Sequence, residues 1–136
     1  MDALTLIQLG RRLTKLGEEA LRRADGDPLP NGPALVLRDV ATHPGTTVGE
    51  IAARTALRQS YVSESVELLF GRRMVTSVVD GRDRRRRRVR IADEYRRRGA
   101  GRSVAPAEPV LRAAVGEDAL AEVTRALALL VARLPA

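Results

Sequence analysis

A chain of 136 residues is long enough for one domain, and with 44% apolar and 30% charged residues its composition is that of a folded chain rather than a disordered one. It has no cysteine and a single histidine, His43. Disulfides and thiolate metal sites are excluded, no nucleophile–base–acid set can be assembled, and no enzyme activity, metal or cofactor is expected. The net charge is +7, and residues 80–102, with eleven arginines against Asp80, Asp83, Asp93 and Glu94, carry the whole surplus.

A positive charge concentrated in one segment is the footprint of a polyanion binder. The excess of 23 arginines over one lysine is also what a GC-rich genome produces, but codon bias does not explain the clustering. No apolar run approaches the roughly 18 residues of a membrane span, and the start MDALTLIQLG lacks the pattern of a signal peptide. A soluble, cytoplasmic protein without membrane contact is expected.

Residues 3–24 predict a long helix capped by Asp2, with Leu6, Leu9, Leu13, Leu16 and Ala20 forming a heptad seam. Gly10 and Gly17, seven apart on one flank of the seam, suggest a close helix crossing. The breakers in DGDPLPNGP place a loop over 25–33. A short helix from Ala34 to Thr42 follows and stops at HPG, with His43 in a capping position.

In TTVGEIAARTALRQSYVSESVELLFGRRMV, Thr47 and Glu50 make a capping box that opens a short helix with Ile51 and Ala52 inward. The chain turns over 56–58, and a second helix begins near Gln59. There Val62, Val66 and Leu69 form the buried stripe, while Ser60, Tyr61, Ser63 and Glu64 face outward. Two short helices about a tight turn, the second polar in its first half, are a helix-turn-helix.

Val75–Val79 is β-branched, Asp80-Gly81 is a turn signal, and Val89 and Ile91 alternate with Arg88 and Arg90. These residues predict a β-hairpin wing, with the run Arg84 to Arg88 at its tip and returning strand. Past Asp93 the chain is helical in propensity, interrupted over 99–108 by Gly99, Gly101, Pro106 and Pro109. Leu120, Val123, Leu127, Leu130 and Leu134 then repeat the N-terminal seam. The seams suit either dimerisation or packing of helix on helix within one chain.

The expected fold is mainly α with a small β-hairpin wing (α+β). It forms a single domain over 1–136, with a winged helix-turn-helix DNA-binding lobe over 34–92 and helical dimerisation regions over 1–24 and 93–136. Base readout is expected from Gln59, Ser60, Tyr61, Ser63 and Glu64, with Thr47, Arg58, Arg82, Arg84, Arg85 and Arg86 as further DNA contacts.

This order of elements, with QSYVSESVELL as recognition segment and Asp83-Arg84-Arg85 before Val89-Arg90-Ile91 as wing motif, resembles the MarR family of winged-helix regulators over nearly the whole chain. The resemblance implies a homodimer built by the terminal helices and two lobes on a palindromic operator in double-stranded DNA. Members are commonly repressors released by a small, often phenolic, effector. It places Ser60, Tyr61, Ser63 and Glu64 at base-facing positions and Arg84 or Arg85 in the minor groove. Three departures from the pattern stand out: Glu64 where a basic residue is common, Arg73 in place of a glycine whose cap Gly71 could take over, and the pair Arg87 and Arg88 where apolar residues are usual. Two other functions compete with a sequence-specific regulator. One is a non-specific nucleic-acid or nucleoid clamp; the other is a protein-binding module, which Glu64 and Glu67 would suit.

Overall fold

Asp2 accepts a hydrogen bond from the Thr5 amide at 2.7 Å and so opens helix α1, Ala3–Arg22, as its sequence predicts. The structure is a computed structural model that describes residues 1–24, 28–98 and 105–135. Its remaining elements are α2 (Asn31–Thr42), β1 (Thr46–Thr47), α3 (Val48–Thr55), α4 (Gln59–Gly71), β2 (Val75–Val79), β3 (Arg87–Ile91), α5 (Asp93–Arg97), α6 (Glu108–Val115) and α7 (Glu117–Arg133). They fall into two compact units, Met1–Pro28 with Ala105–Pro135, and Leu29–Val104.

The first unit is α1, α6 and α7, and its described core is slight: Ala20, Val110 and Leu120 are its buried apolar residues. Leu9, Leu13, Leu16, Val123 and Leu127 are half-buried, whereas Leu6, Leu130 and Leu134 are exposed. Gly116, at φ +82°, separates α6 from α7 in a backbone conformation that side chains disfavour. The close crossing expected at Gly10 and Gly17 is not made among the described residues, since a Cβ at either would meet nothing within 4 Å. Of the interruption expected over 99–108, residues 99–104 lie outside the described residues; Ala105–Ala107 are non-helical, and Pro109 sits in the first turn of α6, where no amide donor is needed.

The second unit packs α2, α3 and α4 against a three-stranded antiparallel sheet of order β1-β3-β2. Its core is Val36, Leu37 and Val40 of α2, Ile51 of α3, Val62 and Leu69 of α4, and Val75, Val89 and Ile91 of the sheet. Helix α2 starts at Asn31, earlier than expected, because Pro33 in the first turn forfeits an amide that has no helical partner there. Strand β1 was not foreseen: two residues show no periodicity, yet Thr46 and Thr47 pair with Val89 and Arg88. On α4 the structure buries Ser65 to 1% exposure and leaves Val66 half-buried, because 62, 65 and 69 satisfy helical spacing as well as 62, 66 and 69. Helix α5 clusters with this unit, not with the terminal helices. Tyr95 packs on its core, and the Ala92 amide donates to the Met74 carbonyl at 2.9 Å.

Candidate nucleic-acid interface

Helix α3 is aimed by a complete capping box. Thr47 Oγ1 accepts from the Glu50 amide at 3.3 Å, and Glu50 Oε1 accepts from the Thr47 amide at 2.9 Å. The second of these bonds holds the Glu50 carboxyl below its ordinary pKa, helped by Arg54 and Arg88. Thr47 is buried, and its side chain is committed to the cap that orients α3. Arg54 braces the other end, donating to both Asp39 oxygens at 2.9 and 2.8 Å and to the Thr46 hydroxyl. The bidentate pair ties α3 to α2 and β1. An open polar cleft of about 310 Å³ lies beside it, bounded by Arg38, Thr42, His43 and Thr55. His43 is the C-cap of α2, with its amide on the Asp39 carbonyl at 2.9 Å, as expected.

The turn into α4 passes through Ala56 in the left-handed region, φ 58°, and Arg58 becomes the N-cap. Among the described residues no side chain caps this end, which leaves the amides of the first turn open to an anionic acceptor. Arg58, Gln59, Ser60, Ser63 and Glu64 are all exposed. Glu64 makes no ion pair among the described residues, so no arginine neutralises it. Tyr61 differs from its neighbours: its ring lies against Gly32 of α2 and it is 38% exposed. The helix closes in a Schellman arrangement, with Met74 N to Leu69 O at 2.9 Å and Arg73 N to Phe70 O at 3.0 Å. Arg73 itself takes the left-handed position, φ 58°, and Gly71 stays helical, so Gly71 does not assume the cap.

The wing is braced from inside by Asp80. At 6% exposure, this carboxylate accepts from the Arg82 amide at 3.1 Å and from Arg88 Nη2 at 3.5 Å. The Arg82 amide, then the Arg88 and Arg86 charges, hold the Asp80 carboxyl below its ordinary pKa. The Asp80 amide donates to Arg86 O at 2.8 Å, and Asp83 accepts from the Arg85 amide at 3.0 Å. The arginine run thereby divides. Arg88 donates to the Gly45 carbonyl at 2.9 Å and Arg87 to Ser77 Oγ at 3.2 Å, so both serve the sheet. Arg82, Arg84, Arg85 and Arg86 stand exposed at the tip, and Arg82 and Arg84 make no side-chain hydrogen bond or ion pair among the described residues.

Sequence reasoning brought the tip arginines and the outward face of α4 together in one unit. It missed Asp80, the Asp39–Arg54 brace and Gly32. Only the Asp-Gly turn at 80–81 carried a local signal for the first; the other two depend on residues distant in sequence. Among the described residues no cluster could hold a metal ion, and no helix is long and apolar enough to cross a membrane.

Residues 28–86 match a family model described as MarR family. The fold is similar to the PcaV transcriptional regulator from Streptomyces coelicolor, at 26% identity and a TM-score of 0.67 over 93% of this chain and 97% of that one. The same regulator in complex with its natural ligand matches at 24% identity and a TM-score of 0.67, over 92% and 90% of the two chains. The transcriptional repressor CouR, bound to a 23-mer DNA duplex, matches at 21% identity and a TM-score of 0.69, over 91% and 89%. No curated protein matches the chain significantly in sequence.

Proposed function

We propose that the chain, whose residues 28–86 match the MarR family model, is a winged-helix member of that family and a homodimeric, sequence-specific repressor of transcription acting on a palindromic operator in the cytoplasm. The observation that carries this reading is the division of labour within one unit. Helix α4 offers Gln59, Ser60, Ser63 and Glu64, exposed donors and acceptors suited to base edges, while the braced wing offers the exposed guanidinium groups of Arg82, Arg84, Arg85 and Arg86. Guanidinium at a hairpin tip suits phosphates and a narrow minor groove.

The dimer is supported by the first unit. Leu4, Leu6 and Ile7 of α1 and Leu129, Leu130 and Val131 of α7, with Leu134 just beyond it, are exposed, against three buried apolar residues. So slight a core needs a second copy to cover that surface. Two lobes about one helical turn apart would then read an inverted repeat. Release by a small-molecule effector is part of this reading by analogy with ligand-bound PcaV.

A second reading, a clamp that binds any duplex, is favoured by the exposed guanidinium groups of Arg82, Arg84, Arg85 and Arg86, which suit the phosphates of any sequence. Selection of bound duplexes from a random pool, at moderate salt with excess competitor, separates the two. An enriched inverted repeat supports the repressor; salt-sensitive binding without enrichment leaves the clamp. Sedimentation at micromolar concentration tests the dimer, and a monomer would refute it.

A further inference from the structure

Gly32 and Tyr61 make a contact that DNA reading alone does not call for. Gly32 is the second residue of α2 and buried, and Tyr61 is the third residue of α4. A Cβ built on Gly32 would overlap the hydroxyl, Cε1 and Cζ atoms of the Tyr61 ring. The ring edge therefore rests on bare backbone, in a notch that exists only because position 32 has no side chain. The notch is itself fixed: the Gly32 amide donates to Asn31 Oδ1 at 2.9 Å, and the Ala34 amide to the Pro30 carbonyl at 3.0 Å.

We infer that Tyr61 is a positioning residue rather than a base reader: seated on Gly32, it sets the angle of the N-terminal half of α4. The inference rests on the DNA-reading role proposed above and deepens it. Further along, α4 is held by Val62, Ser65 and Leu69 in the core, so the Tyr61 seat governs the end that carries Gln59, Ser60, Ser63 and Glu64. An added methyl at position 32 must push the ring away by about 1 Å or more to reach van der Waals contact. Hydrogen bonds to base edges tolerate only a few tenths of an ångström before they weaken. Displacing the seat should therefore blunt discrimination at every base pair that α4 reads. The wing's phosphate contacts, made by other residues, should persist. Helix propensity argues the opposite outcome, since alanine is favoured over glycine within helices.

The test is a double-mutant cycle on the full chain: wild type, Gly32→Ala, Tyr61→Ala and the double variant. Affinities are measured for the selected duplex, for a scrambled duplex, and for a series changed at one base pair at a time. Gly32→Ala should lower affinity for the selected duplex about tenfold when Tyr61 is present and less than twofold in the Tyr61→Ala background, with scrambled-duplex affinity held within twofold throughout. Equal losses in both backgrounds, or no loss in either, would overturn the inference. Should Gly32→Ala not fold, Tyr61→Leu decides. A loss of discrimination spread over all α4-read base pairs supports positioning; a loss confined to one base pair assigns Tyr61 to base contact and overturns it. A wild-type chain that binds every duplex alike would instead bring down the regulator reading itself.

Discussion

Replacing Ser65 by alanine should stabilise the protein. Ser65 lies in α4 between Val62 and Leu69 at 1% exposure, and its hydroxyl has no hydrogen-bond partner among the described residues. An unpaired hydroxyl in an apolar interior costs about 1–3 kcal/mol of desolvation. Alanine removes that cost and adds roughly 0.5 kcal/mol of helix propensity. Against this, deleting one oxygen leaves a void of roughly 10–15 Å³, which at ~24 cal/mol per Å³ costs about 0.3 kcal/mol. The net expectation is a gain of about 1–3 kcal/mol. With an unfolding entropy of about 2.1 cal/mol/K per residue, a gain near 1.5 kcal/mol raises Tm by about 5 °C for a chain of this length. Urea and thermal unfolding followed by circular dichroism would measure it, with Ser63→Ala on the exposed face of the same helix as a control expected to gain only the propensity contribution, roughly 0.5 kcal/mol. A Ser65→Ala chain less stable than wild type by 1 kcal/mol would sink this account, because it would mean that the hydroxyl is hydrogen-bonded in solution.

Arg73→Gly should also stabilise, by about 1 kcal/mol, because it relieves a side chain held at φ 58° in the Schellman turn; a lower urea midpoint would show that the Arg73 side chain contributes more than its backbone costs. The Asp80 carboxyl sits below its ordinary pKa in the fold, so its stabilisation is complete above about pH 4 and is lost as pH falls through the folded value. Amide resonances of Arg82 and Arg86 should hold steady from pH 7 to 5 and move on further acidification, whereas Asp80→Ala should show the moved positions already at pH 7. Arg84→Ala should weaken binding to all duplexes nearly equally and reduce the salt slope by about 0.9; an unchanged slope would remove Arg84 from the phosphate contacts.

The elements most legible in the sequence are those with local causes. The Thr47–Glu50 capping box, the start of α4 at Gln59 and the strand Val75–Val79 were read where the structure has them, because capping, turn chemistry and β-branching act within a few residues. Misreadings arose where two local patterns fitted equally, as with Ser65 against Val66, or where a residue's partner lies far along the chain. Arg73 shows a third kind: local rules ask for glycine at a left-handed cap, and the packing of Leu69 and Met74 about the turn holds an arginine there instead.

The main helices, the β2–β3 hairpin, the location of the charge and the outward face of α4 were thus legible in the chain alone, whereas β1 and the break at Gly116 were not. Which arginines are available was settled by packing in three dimensions. Arg87 and Arg88 are chemically identical to Arg84 but are drawn back onto Ser77, Gly45 and Asp80, because strand pairing in β3 aims their side chains at neighbours 8 to 43 residues distant in the chain. Tyr61 is likewise turned onto Gly32 by the packing of α2 on α4. A side chain's chemistry is local, but its availability depends on what the fold brings against it.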